Sequence, residues 1–224
     1  MYLTADSITC YRNKQKVLDN LSFTLNSGDF MLVTGNNGSG KSTLLRCLCN
    51  LCPIENGEIR FDNRMKSDEI EDEFKNRILY LGHKNCINDD LTCAENLKFL
   101  FYIDCYDSDT SKDKFKDFDS KKILSALGLS EYSNRKVSTL SEGTKKKLSL
   151  LRLWAPRNNA IESNNKSIWL LDEPLNSLDT ASKKIILKRM LSHTEYGGII
   201  VCASHIEFPD EFSFLITKNI DLSK

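Results

Sequence analysis

The 224-residue chain has no excess of either charge: 31 Lys and Arg against 31 Asp and Glu leave a formal net charge of zero. A surface without a net field does not draw in polyanions, so strong nucleic-acid binding is disfavoured. No apolar run approaches the ~20 residues needed to cross a bilayer. Met1 to Asp6 lack the basic flank and apolar stretch of a secretory signal, so none is expected. The expectation is a soluble chain that reaches any membrane through a partner. There is no internal repeat and no sharp linker. This length suits one large domain or a domain with a subdomain, and 40% hydrophobic residues suffice for a core.

A paired metal-binding pattern is also missing. Of eight cysteines, Cys47, Cys49 and Cys52 crowd into one CLCNLC stretch. No matching His or Cys cluster stands elsewhere in the sequence. The stretch falls on a predicted helix where small apolar residues are expected, so buried reduced thiols are the favoured reading over a metal site. Cys10, Cys86, Cys93, Cys105 and Cys202 are scattered. No disulfides are expected in a reducing compartment.

What is present is Gly35-Asn36-Asn37-Gly38-Ser39-Gly40-Lys41-Ser42. It fits the P-loop pattern, two glycines four residues apart followed by Lys-Ser. The apolar run Phe30-Met31-Leu32-Val33 precedes it, and the helix-like Thr43-Leu44-Leu45-Arg46 follows it. Strand, loop, helix is the context the motif needs. Glycines let backbone N–H groups turn inward around phosphate oxygens, and the helix dipole favours the anion. Lys41 would reach the β- and γ-phosphates, and the Ser42 hydroxyl would ligate Mg²⁺.

A second constellation is Ile168-Trp169-Leu170-Leu171-Asp172-Glu173-Pro174, an apolar strand ending in two acids. Beside a P-loop, Asp172 supplies the second Mg²⁺ contact, usually through water. Glu173 is placed to polarise an attacking water. Alone, such an acid pair caps a turn as often as it does chemistry.

The remaining pattern predicts an α/β fold. Strands are predicted at 2–10, 17–25, 30–34, 57–61, 78–82, 168–171, 199–201 and 214–216. They form a mixed, mostly parallel sheet with an antiparallel portion. Helices are predicted at 41–51, stopped by Pro53, and at 181–192. From about 88 to 155 the pattern is helical. There Thr92 and Glu95 form a capping box, a short amphipathic helix carries Ile123 to Leu129, and another helix runs from Glu142 to Trp154. The charged stretch 63–75, the polar stretch 107–119 and the Asn-rich stretch 155–167 read as surface loops.

The chain resembles the ATPase subunits of ABC transporters. Leu140-Ser141-Glu142-Gly143-Thr144 looks like the family signature LSGGQ, followed by a basic and then apolar helix from Lys145. Asn176-Ser177-Leu178-Asp179 resembles the D-loop, and Ala203-Ser204-His205 the switch histidine. Tyr11 stands where the family stacks an aromatic on adenine. The resemblance covers nearly the whole chain. It implies one nucleotide-binding domain over 1–224 with a helical subdomain at about 88–155. ATP would be held by Tyr11, Gly35, Asn36, Asn37, Gly38, Ser39, Gly40, Lys41, Ser42 and Thr43. Glu173, His205 and Lys41 would serve catalysis, with Mg²⁺ on Ser42 and Asp172. Ser141, Glu142, Gly143 and Thr144 would face the γ-phosphate held by a second copy, and Ser177 and Asp179 would cross that interface.

Within that family, Tyr80-Leu81-Gly82-His83 and Leu91-Thr92-Cys93-Ala94-Glu95-Asn96-Leu97-Lys98-Phe99 resemble the LGHQ and LTALENLRF of the cytochrome c maturation, or heme-exporter, ATPases. Leu151-Arg152-Leu153-Trp154, Trp169 and the stretch His193 to Gly198 fit the same group. The implied protein is an ATPase on the cytoplasmic face of the inner membrane, or the matrix side of an organelle. It would act as a homodimer with integral membrane subunits of cytochrome c maturation. Two departures stand out. The Q-loop glutamine position holds Lys84, whose ammonium has no acceptor for a cation. In the signature, Glu142 replaces a small residue and Thr144 a glutamine. The ATPase of another ABC transporter, a soluble regulatory ABC ATPase and a weakly hydrolysing scaffold stay open as alternatives.

Overall fold

The computed structural model describes residues 2–62, 64–65, 77–104, 119–155, 167–205 and 208–223. The predicted loops at 63–75, 107–119 and 155–167 lie almost wholly outside the described residues, as does Cys105. The chain divides into two compact units. One holds 1–83, 166–174 and 190–224; the other holds 84–165 and 175–189.

The first unit contains two sheets. In the antiparallel sheet, β1 (Tyr2–Arg12) pairs on one side with β2 (Gln15–Asn26) and on the other with β4 (Asn56–Phe61), which also pairs with β5 (Arg64–Met65). The β1–β2 hairpin turns on Asn13 and Lys14, at φ 50° and 64°. Two successive left-handed residues make the tight turn whose twist matches paired strands. The second sheet is parallel, in the order β6 (Ile78–Leu81), β7 (Ile168–Asp172), β8 (Ile199–Ala203), β3 (Phe30–Thr34), β9 (Lys218–Asp221). Every residue of β7 and β8 is buried, as a strand covered on both faces requires. Helix α1 (Lys41–Leu48) buries Leu44, Leu45, Cys47 and Leu48 in the same core as Val33, Leu170 and Val201.

The last strand corrects the sequence reading. Residues 210–215 form a 3-10 turn, and the strand lies at Lys218–Asp221. The apolar run at 214–216 misleads because Phe214 points to solvent while Phe212 and Leu215 are buried. That spacing suits a helical turn and not a strand. β9 is a short edge strand and is mostly polar, as edges usually are. The Trp169 ring stacks on His193, 3.7 Å between centroids. Gly198 makes room for it: a Cβ there would fall 2.1 Å from the His193 ring.

The second unit is helical, with α2 (Cys93–Asp104), α3 (Ser120–Ser125), α4 (Glu142–Leu150) and the first part of α5 (Thr180–Glu195). The capping box forms: Glu95 accepts from the Thr92 N–H at 2.8 Å, and Thr92 Oγ1 accepts from the Glu95 N–H at 3.3 Å. The helix predicted over 142–154 changes character at Leu151 and finishes as a 3-10 turn, Leu151–Trp154. Its Arg152 makes a forked pair with Asp104, at 2.8 and 2.6 Å, largely out of solvent.

Candidate functional site

Sheet register puts the key residues in one row. Asp172 pairs with Ala203, and Ala203 with Val33. Three parallel strands therefore end side by side, each spaced about 4.8 Å from the next. Just past that row the chain leaves the sheet three times: at Gly35, at Glu173 and at Ser204. Two cross-bonds fix the exits, from the Glu173 N–H to the Ala203 carbonyl at 2.9 Å and from the Ser204 N–H to the Val33 carbonyl at 3.1 Å. Ligands of such sheets bind outside the carboxyl ends of the strands. A cavity of about 500 Å³ opens here, lined by Gly35, Asn36, Asn37, Ser204 and His205.

The loop itself is built on glycine geometry. Gly35, Gly38 and Gly40 all take left-handed φ, and Gly40 sits at the N-terminus of α1. The Lys41 ammonium bridges the loop, donating to the carbonyls of Gly35 at 2.7 Å and Asn36 at 3.0 Å. Lys41 and Thr43 are buried, Ser42 is half-buried, and Asn36, Asn37 and Gly38 are exposed. The Ser39 hydroxyl is buried and has no hydrogen-bond partner among the described residues.

At the end of β7, Asp172 is 2% exposed, and its Oδ2 has no hydrogen-bond partner among the described residues. A buried carboxylate oxygen without a donor is costly unless something else satisfies it. The Ser42 hydroxyl and this oxygen are the hard oxygen donors that Mg²⁺ prefers, so the residues fit that ion.

The structure joins Glu173 directly to His205. Glu173 Oε1 lies 2.8 Å from His205 Nδ1, and Oε2 accepts from the His205 backbone N–H at 3.4 Å. A carboxylate can only accept, so this bond places a proton on Nδ1. Glu173 is buried, whereas the His205 side chain is half in solvent. Read from motifs alone, each residue has a separate role and no contact with the other. Arg46 of α1 bonds to Tyr80 of β6, a pairing with no motif behind it. The sequence reading also missed Asp221 and Ser223, which line the same cavity because β9 lies four residues later than predicted. Tyr11, at the end of β1, is partly exposed.

In the helical unit, Ser141 caps α4. Its Oγ accepts from the Thr144 N–H at 3.2 Å and lies 2.8 Å from Thr144 Oγ1. Thr144 thus completes the cap in the glutamine's place. Gly143 touches the D-loop: a Cβ there would lie 3.0 Å from the Ser177 carbonyl. Asp179 caps α5 by accepting from the Ser182 N–H at 2.8 Å, and pairs with Lys147. Lys147 first, then Ser182, holds this carboxyl well below the usual carboxylate range. Glu142 is exposed and pairs with Lys145 at 3.6 Å; Lys145 also holds Asp89 at 2.9 Å. Lys84 is exposed.

A P-loop at the end of β3, an acid pair at the end of β7 with β8 between them in the same parallel sheet, and a capped signature helix define an ABC-type ATPase. The chain belongs to the ABC transporter family, whose sequence profile matches residues 18–176. It is similar to the cytochrome c biogenesis ATP-binding export protein CcmA of Escherichia coli K12, with 32% identity over 206 residues, 91% of this chain and 88% of that protein. The protein of that name from Shewanella frigidimarina is also 32% identical, over 203 residues, 91% of this chain and 86% of the relative. The fold matches a putative ABC transporter ATP-binding protein from Pyrococcus furiosus at TM-score 0.73 and 21% identity, covering 99% of this chain and 98% of that one. It also matches a dimeric ATP-binding cassette in a post-hydrolysis state bound to ADP and Pi, at TM-score 0.73 and 20% identity, covering 98% and 93%. Among the described residues no helix is long and apolar enough to cross a membrane.

Proposed function

We propose that this chain is the ATP-hydrolysing subunit of an ABC transporter complex for cytochrome c maturation, serving heme export or the release of a heme-loaded chaperone. The placement of Asp172 and Glu173 in register with the P-loop strand supports hydrolysis. The likeness to the CcmA proteins over nine-tenths of the chain supports the pathway. In this reading residues 1–224 are a single nucleotide-binding domain with a helical subdomain. Two copies pair head to tail on the cytoplasmic face, against integral membrane subunits.

Tyr11 stacks on adenine, and the 35–43 loop wraps the phosphates with its N–H groups. Lys41 leaves its two carbonyls and turns to the β- and γ-phosphates. Mg²⁺ would be held by Ser42 and, through a water, Asp172, and would offset phosphate charge. Glu173 orients the attacking water, and His205, its Nδ1 proton committed to Glu173, presents Nε2 towards the γ-phosphate. Ser141 and Gly143 of the second copy close the site, beside Ser177 and Asp179. The weakly hydrolysing alternative rests on Lys84, which brings a cation where the family pattern has an amide oxygen.

Two measurements test the reading. Glu173→Gln should keep ATP binding and lower turnover by about 10²–10⁴-fold, the usual contribution of a positioned acid–base group. Unchanged turnover removes Glu173 from that role. The wild-type protein, captured from gently solubilised native membranes, should bring cytochrome c maturation membrane subunits with it. Recovery of another transporter's membrane subunits overturns the pathway and leaves the ATPase reading in place.

A further inference from the structure

In the sheet unit Cys10, alone in its stretch of sequence, meets Cys47 and Cys52 of the CLCNLC stretch. Cys10 lies near the end of β1, Cys47 in the last turn of α1, and Cys52 in the turn after it. Their sulfur atoms all lie within 4.8 Å of one another. The Sγ atoms of Cys10 and Cys52 are 3.7 Å apart. Two thiolates bound at about 2.3 Å to one tetrahedral ion stand about 3.8 Å apart. One edge of the triangle is therefore already at coordination spacing, and the others close with shifts of about 1 Å or less.

The backbone holds this arrangement before any ion arrives. The N–H groups of Leu51 and Cys52 both return to the Arg46 carbonyl, at 2.8 and 3.2 Å, folding the chain back on the helix. The Glu55 N–H bonds the Thr9 carbonyl at 2.8 Å, pinning the next segment to β1. Cys10 donates to the Pro53 carbonyl at 3.4 Å. Cys10 and Cys47 are buried and Cys52 half-buried, beside a cavity of about 350 Å³ lined by Cys47, Cys52 and Glu58. That cavity offers both an entry path and room for a water as a fourth ligand.

We infer that Cys10, Cys47 and Cys52 form a binding site for a thiophilic d¹⁰ cation, Cu(I) or Zn(II). Soft sulfur donors select such ions over Mg²⁺ or Ca²⁺. Burial, and then the neighbouring Cys10, push the Cys47 thiol up. A bound cation removes both penalties, since it displaces the protons and separates the sulfurs' charges. The site ties the strand carrying Tyr11 to the far end of the P-loop helix. It is independent of the proposed pathway.

The test is titration of the purified, reduced full-length protein with Cu(I), with Zn(II) against a chromophoric chelator, and with Cd(II) as a thiolate charge-transfer reporter. The expected result is one ion per chain, with Cys52 protected from alkylation when the ion is present. Cys10→Ser and Cys52→Ser should each weaken binding by more than the roughly 10–100-fold lost with an outer-shell partner. Cys86→Ser, at an exposed position, should leave it intact. Alkylation mapping of the wild type keeps the test valid if the Cys10 variant folds poorly. Binding retained without Cys10 and Cys52, no binding of any of the ions, or a Cys10–Cys52 disulfide formed in place of the metal complex each overturns the site.

Discussion

Gly40 gives the P-loop geometry a quantitative test. It takes φ 111° at the start of α1, and a Cβ there would lie 2.7 Å from Val17 Cγ1. Gly38, two residues earlier, takes φ 84°, but a Cβ there would meet nothing within 4 Å. Gly38→Ala therefore carries only the cost of a left-handed non-glycine, about 1–2 kcal/mol. Gly40→Ala carries a similar backbone cost and an overpacking cost of about 1–3 kcal/mol, because Val17 is stiff at χ1. Its total is about 2–5 kcal/mol. Urea unfolding of the nucleotide-free protein should show the midpoint falling further for Gly40→Ala than for Gly38→Ala, at an unchanged slope. In a cycle with Val17→Ala, the overpacking part should be recovered and the backbone part should remain. Stabilisation by ATP should also shrink in Gly40→Ala, since a distorted loop binds less tightly. Equal losses at the two glycines, or no recovery with Val17→Ala, would refute this account of the loop.

Two further outcomes are expected. Asp179, held low by Lys147 and Ser182, adds stability that is present above the ordinary carboxylate range near pH 4 and is lost as pH falls below it. Asp179→Asn should thus unfold at lower urea than wild type at pH 7, with the gap closing in acid; a gap that ignores pH contradicts the pairing. Lys84→Gln should raise Mg²⁺-dependent ATP turnover by restoring an acceptor oxygen, and an unchanged rate would show that Lys84 does not limit the reaction.

Local chemistry was legible in the sequence, and long-range meetings were not. The strand at 30–34 and the Thr92–Glu95 cap appear as read because each depends on residues within a few positions. The strand near the C-terminus was misplaced because a buried Phe212 and Leu215 around an exposed Phe214 produce the apolar run of a strand. The Cys10 thiol stands alone in sequence and joins Cys47 and Cys52 only through the way β1 and α1 pack. Residues 175–189 belong with the helical unit although they follow the acid pair of the sheet; chain order carries no mark of that division. Glu173 and His205 could be named separately from motifs, but their contact comes from the register of β7 and β8.

That contact also explains a strained backbone. Glu173 takes φ 50°, a conformation that costs a non-glycine residue about 1–3 kcal/mol. Had β7 continued, alternation would have sent Glu173 to the sheet face opposite Asp172. The left-handed turn breaks the alternation at the last moment, and Pro174 follows at once, so the strand cannot resume. The cross-bond to the Ala203 carbonyl and burial of the side chain hold the turn in place. The result is two adjacent acids with different surroundings: Asp172 with a buried oxygen that has no partner among the described residues, Glu173 with both oxygens turned to His205. Glycine would relieve the strain but remove the carboxylate. Glutamine keeps the turn, the size and an acceptor oxygen for His205, and removes only the charge. A loss of hydrolysis in Glu173→Gln with stability retained would therefore trace to that charge and not to the backbone that aims it.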